Sequence, residues 1–239
     1  MEAYTYTNLF DTKGIEYIII IFFLLLLIPF WIIVNRKSEA VESVRQTIQA
    51  FTASVLRIPQ GLFFSRNHTW LYMEKSGQAK IGIDDFLLKT LGEVKVLPVT
   101  EAGNSVKKGD VVALVEQDGK QLKLHSPVSG IISGFNSDWS ESSEDVRDDL
   151  YNDGWLFTLQ PDNWKKETAG FLLGNEIYPW MEREVQRLKD FLSVSYSKSE
   201  NGSMALAFQE GGELQMNPLS GMESEVWNDF QYEFLEQSE

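Results

Sequence analysis

The chain has no cysteine. That absence removes disulfides, thiolate zinc sites, protein-ligated iron–sulfur clusters and cysteine nucleophiles. Histidine is almost missing too: His68 and His125 are the only two, far apart in sequence. They leave little material for a histidine-rich metal centre or a haem ligand pair, and no metal site is expected. Positive charge is short, with 21 Lys and Arg against 35 Asp and Glu, for a net charge of −14. Phosphate is repelled by such a surface, so nucleic acid is not an expected partner. A basic protein surface is a better match. What the chain does hold is aromatic bulk, seven Trp and fifteen Phe in 239 residues, enough to build a core.

One long run lacks charge altogether. Tyr17–Val34 reads Y-I-I-I-I-F-F-L-L-L-L-I-P-F-W-I-I-V, about 27 Å long as a helix and close to the hydrocarbon thickness of a bilayer. Its leading flank carries Glu2, Asp11, Lys13 and Glu16, and no small-residue cleavage site follows, unlike a secretory signal. The expectation is a transmembrane helix over residues 17–36, with Tyr17 and Trp31 at the interfaces and Pro29 near its end. Arg36, Lys37 and Arg45 on the far flank predict a single pass through the inner (cytoplasmic) membrane. Residues 1–16 then lie outside and the remainder in the cytoplasm.

Residues 37–61 read as a juxtamembrane helix and linker, with Val41, Val44, Ile48 and Phe51 on one face and a break at Arg57–Gly61. From residue 62 the period changes from helical to alternating. Strands are predicted over 68–74, 79–83, 94–98, 111–116, 121–126, 127–135 and 154–159, separated by glycine turns. Asp84 is placed to cap a short helix that ends at Gly92. Ser140 to Asp149 is acidic and read as helical. Residues 62–164 thus predict a mainly β domain, a small sandwich or barrel. Residues 165–239 form a helical extension. Met181, Val185, Leu188 and Leu192 share one helical face, and Val226, Trp227, Phe230 and Phe234 share another. Between them, residues 204–214 read as a short strand and a Gly-Gly turn.

The motifs in 64–165 bring a family into view. His68-Thr69-Trp70 is similar to an H-x-W opening. Ile81-Gly82-Ile83 with Leu91-Gly92, then Leu97-Pro98, Gly103, Val106 and Gly109-Asp110, continue in order. Ser126-Pro127-Val128-Ser129-Gly130 and Gly154-Trp155-Leu156-Phe157 complete the series. Together they resemble the glycine cleavage system H protein. The resemblance implies a lipoyl-type β sandwich (a barrel-sandwich hybrid) whose hairpin presents a lipoylated lysine. It covers neither the apolar run nor the last seventy or so residues.

The hairpin departs from that pattern. The family reads E-S-V-K-A-A-S-D/E-I/L-Y-A/S-P, with the lysine eight places before the proline. Here Glu116 keeps the glutamate's distance from Pro127, and the eighth place back is Gly119. Lys120 sits one residue late, and a one-residue slip along a strand turns a side chain to the other face. Asp118-Gly119 also predicts a tight tip. The expectation is therefore no cofactor, with lipoate on Lys120 as the alternative.

No catalytic residue is expected. Ser129 lacks a nucleophile elbow. Asp84-Asp85 and Glu141, Glu144 and Asp145 fit capping and a solvated acidic face better than acid–base or cation work. His68 reads as a hydrogen-bonded structural residue, and His125 stands where the family has tyrosine. The sequence thus predicts a non-enzymatic, membrane-anchored, H-protein-like scaffold or docking subunit of a membrane complex, a redox or respiratory one by family analogy alone. Trp227, Phe230 and Phe234 are expected to bury against the sandwich or against partner subunits. The alternative is a lipoyl carrier of glycine-cleavage type modified at Lys120. A periplasmic efflux adaptor needs a long coiled-coil hairpin, and the four residues Gln117–Lys120 leave no place for one.

Overall fold

The computed structural model describes residues 9–35, 51–140, 146, 148–198 and 214–236. They fall in two units, Met1–Gln49 and Ala50–Glu239. In the first, a helix runs over Leu9–Asn35. The side chains described there, Tyr17 to Phe30, are exposed. Among the described residues no helix is long and apolar enough to cross a membrane. This overturns the expected transmembrane helix over 17–36. The single-pass inner-membrane location, with its outside N-terminus and cytoplasmic domain, rested on that helix and falls with it. The helix expected over 38–51 lies almost wholly outside the described residues.

The second unit is mainly β. Its strands are β1 (Phe63–Phe64), β2 (Thr69–Met73), β3 (Ala79–Ile83), β4 (Lys95–Pro98), β5 (Ser105–Val106), β6 (Val111–Gln117), β7 (Lys120–His125), β8 (Gly130–Phe135), β9 (Phe157–Pro161) and β10 (Leu172–Leu173). They form a seven-stranded sheet in the order β10-β1-β2-β3-β9-β8-β5 and a three-stranded sheet in the order β4-β6-β7. Alternation sets the faces. In β7, Leu122 and Leu124 are buried, whereas Gln121 and Lys123 face outward. These leucines join Val96 and Val115 of the small sheet and Ile81, Ile132, Phe157 and Leu159 of the large one in a single core. The strand pair β2–β3 is tight because Trp70 lies opposite Gly82. A Cβ there would come within 2.6 Å of the indole, so only glycine admits that ring.

Most predicted elements fall within two or three residues of the observed ones. β2 starts one residue late because His68 adopts φ +57, outside the extended region. The short helix Asp85–Leu91 begins where Asp84 caps it, its carboxylate accepting from the Leu87 N–H at 2.8 Å. The helix Ile177–Lys198 buries Met181, Val185, Leu188 and Leu192 as the spacing predicts. Most of the acidic stretch, residues 141–145 and 147, lies outside the described residues, as does most of the strand and turn expected over 204–214.

The last described segment, 214–236, packs on the domain. Asn217 and Leu219 donate their N–H groups to the Lys89 and Thr90 carbonyls, which terminate the short helix. The helix Ser224–Phe230 then runs into a wider turn over Gln231–Leu235. Trp227, Phe230 and Phe234 are 1%, 0% and 0% exposed. Of the two places open to these aromatics, the structure shows them inside this chain.

Candidate functional site

The β6–β7 hairpin is built by its turn. Asp118 and Gly119 have φ +50 and +77, and Gln117 pairs with Lys120 across them. Two successive positive φ values are what the right-handed twist of a two-residue hairpin demands. A side chain at Gly119 would meet nothing within 4 Å, so space is free there. The obstacle is conformational: lysine at that φ would be strained. The turn type therefore explains why glycine occupies the place counted for the carrier lysine. The tip borders an open cleft of about 560 Å³ whose lining includes Glu93, Lys95, Glu116, Asp118 and Ser220.

Lys120 begins the return strand, half-buried. Its Nζ donates to the Ser220 carbonyl at 2.8 Å and to the Met222 carbonyl at 3.0 Å. The same nitrogen lies 4.9 Å from the centre of the Trp227 ring, within the range of a cation–π contact. Gln231 closes the adjoining edge of β7. Its side-chain carbonyl accepts from the Lys123 N–H at 2.7 Å, and its amide donates to the Lys123 carbonyl at 3.2 Å. The residue sequence reading missed is Gln231, and the missed atoms are the Ser220 and Met222 carbonyls. Main-chain acceptors carry no sequence signal. Trp227 did carry one, on the apolar helical face it shares with Val226, Phe230 and Phe234.

A second constellation lies inside the domain. His68 is fully buried, its ring stacked on Phe86 at 4.3 Å and Trp180 at 5.1 Å. Its Nδ1 donates to Asp84 Oδ2 at 2.8 Å. Its Nε2 faces Glu184 at 3.6 Å, an ion pair rather than a hydrogen bond. Burial alone would push the imidazole down, but the Asp84 and Glu184 carboxylates outweigh it and raise the pKa to about 9. Glu184 is itself held below its ordinary value. Burial pushes it up, and His68 and then Arg187 more than reverse that. Arg187 binds both Glu184 oxygens, donates to the Glu233 carbonyl and stacks 4.2 Å over Phe234. The imidazolium is enclosed, so it ties elements together and reaches no substrate.

The remaining sequence candidates are occupied structurally. Asp85 receives the Arg57 N–H at 2.9 Å and pairs with Arg57 and Lys89 at 2.9 and 2.7 Å. The Tyr151 hydroxyl accepts from the Asp85 N–H and donates to the Arg57 carbonyl, and burial first, then Asp84 and Asp85, raises its pKa well above 10. Ser129 donates its hydroxyl and its N–H to Glu167, both at 2.7 Å. His125 Nδ1 lies 2.8 Å from the Gly109 carbonyl. Glu141, Glu144 and Asp145 lie outside the described residues.

Comparison with known proteins extends over this region. The family model for the glycine cleavage H-protein matches residues 62–184. The glycine cleavage system H protein of Ralstonia nicotianae is 36% identical over 105 residues, which cover 44% of this chain and 82% of that protein. The probable glycine cleavage system H protein of Pyrococcus abyssi is 31% identical over 111 residues, 46% of this chain and 82% of that one. A crystal structure of a glycine cleavage system H protein from Mycobacterium marinum aligns with a TM-score of 0.42 at 27% identity, covering 51% of this chain and 95% of that chain. The matched segment holds both sheets and the hairpin, and it ends before the segment 214–236 that meets Lys120. This chain belongs to the glycine cleavage H-protein family.

Proposed function

We propose that this chain is a non-catalytic carrier of glycine-cleavage type, with Lys120 as the attachment lysine for a lipoyl group. The observation that supports it most is the place of Lys120. The family match spans the hairpin, and this lysine is the first residue after the tip, across from Gln117. It fits the attachment chemistry in kind. It offers a primary amine, half-buried rather than enclosed, and its hydrogen-bond acceptors are loop carbonyls. A bound lipoyl group would supply a long arm ending in a redox-active dithiolane. The chain's own residues do the rest. The I′-like turn over Asp118 and Gly119 fixes where the amine emerges, and the β6–β7 pairing holds that turn rigid.

A second reading has its own support. Gly119 stands at the place counted from Pro127, and the Lys120 amine is already engaged. An H-type module with no attached group, working by docking alone, fits those two facts. The membrane-bound version of that reading has lost its anchor and is set aside.

The two readings separate in one assay. The full chain, incubated with a lipoate ligase, lipoate and ATP, takes up one lipoyl group on the peptide carrying Lys120, and a Lys120→Arg chain takes up none. Equal modification of both chains, or none of either while a control lipoyl domain is fully modified, overturns the carrier reading.

A further inference from the structure

The segment 214–236 has two tiers. Its anchor is deep: Leu219, Trp227, Phe230, Phe234 and Leu235 are all buried, and Trp227 Nε1 donates to the Leu219 carbonyl at 2.9 Å. Its turn is shallow: Gly221 and Glu223 are exposed, and Ser220 and Met222 are half-buried. The contacts with the Lys120 ammonium come from this shallow turn and from the ring of the anchored Trp227. Few buried apolar groups hold such a turn, so it can open locally while the anchor stays packed.

We propose that the turn 220–223, with Trp227, is a clamp that withholds the hairpin amine: Lys120 reacts only when the turn lifts or the side chain swings clear. The contact stands on the geometry alone, and its role as a gate on modification rests on the carrier reading. The clamp lies outside the segment 62–184 that the family model matches. It is also selective for the unmodified state. An ammonium offers three N–H donors and a positive charge, and two carbonyls and an indole face use both. In acylation by an activated acyl donor, the deprotonated nitrogen attacks the acyl carbon and the N–C bond forms. The donor's leaving group departs with its electron pair, and two protons in all pass to solvent. The amide that results keeps one N–H and no charge. It cannot satisfy both carbonyls or hold the ring by charge, so modification leaves the clamp open.

The test is amine reactivity, read residue by residue. The full chain is prepared without lipoate and treated briefly with an acetylating reagent, and each lysine is followed by peptide mass spectrometry. Lys120 labels about ten-fold or more slowly than the exposed Lys75, the factor expected when contacts of ordinary strength must break first. In a Trp227→Leu chain Lys120 speeds up several-fold while Lys75 is unchanged. Equal rates at Lys120 and Lys75 in the parent chain overturn the clamp. Should the Trp227→Leu chain fail to fold, hydrogen exchange in a Lys120→Met chain decides. The Ser220 and Met222 amides, bonded to the Asn217 and Leu219 carbonyls, then exchange faster than in the parent, and unchanged exchange overturns the claim. Fast labelling would leave the carrier reading standing. Slow labelling with no lipoylation even of the opened variant would leave the clamp standing and remove the carrier.

Discussion

Replacing Asp84 with alanine lowers the unfolding free energy of the full chain by about 3–5 kcal/mol, the usual result of stripping one partner from a buried pair. Two losses coincide. The short helix Asp85–Leu91 loses its cap, and the enclosed His68 loses its nearer carboxylate. Glu184, at 3.6 Å, remains as the only other carboxylate facing the ring among the described residues. Against a domain stability of about 5–15 kcal/mol this is a large fraction. Urea unfolding of parent and variant measures it, and a change under about 1 kcal/mol, typical of a surface site, contradicts the assignment.

The same cluster sets a pH dependence. His68 has its pKa raised from 6.5 to about 9 in the fold. Its contribution is therefore complete below pH 6.5 and is lost as pH rises through about 9. Glu184 works in the other direction. Its pKa is lowered from 4.5, so its contribution is present above pH 4.5 and is lost as pH falls through the folded value. Asp84 and Glu184 face the ring ionically, Arg187 stands behind Glu184, and Phe86, Trp180 and Phe234 close the remaining sides. Stability in the parent should decline between pH 6.5 and 9, and a His68→Gln chain should be flatter across that window.

Truncating Phe234 to alanine is the second large effect, expected at about 3–5 kcal/mol for a buried aromatic. Phe234 is fully buried, stacks on Phe230 at 4.6 Å and meets Phe191 edge-on at 5.7 Å. It also lies under the Arg187 guanidinium and beside His68. If the segment 214–236 were a loosely attached appendage, the loss would vanish into unfolding of the tail alone. A drop in the global unfolding midpoint, seen by near-UV circular dichroism, shows instead that the tail belongs to the same cooperative unit as the sheets.

How much of this was legible depended on distance along the chain. Period-two alternation in V-V-A-L-V-E and Q-L-K-L placed β6 and β7, Asp118-Gly119 placed the turn between them, and Asp84 placed a helix start. Each is a local signal. Glu184 gave no signal, because the pattern of the 177–198 helix marks only its apolar face. In the structure Glu184 is 5% exposed, drawn inward by an imidazolium that arrives from the start of β2. The meeting of Lys120 with Ser220 and Met222 spans a hundred residues and uses main-chain carbonyls, which every residue owns, so no pattern could announce it. The apolar run at 17–34 misled. Its lack of charge read as a membrane span, whereas among the described residues no helix is long and apolar enough to cross a membrane.

The carrier reading meets its most direct test in the chain as its own cells make it. The chain is purified from lipoate-replete cells, its intact mass is measured, and the peptide spanning the hairpin is sequenced by mass spectrometry. The account predicts a lipoyl adduct on Lys120. A bare Lys120, beside fully lipoylated proteins from the same cells, would contradict it.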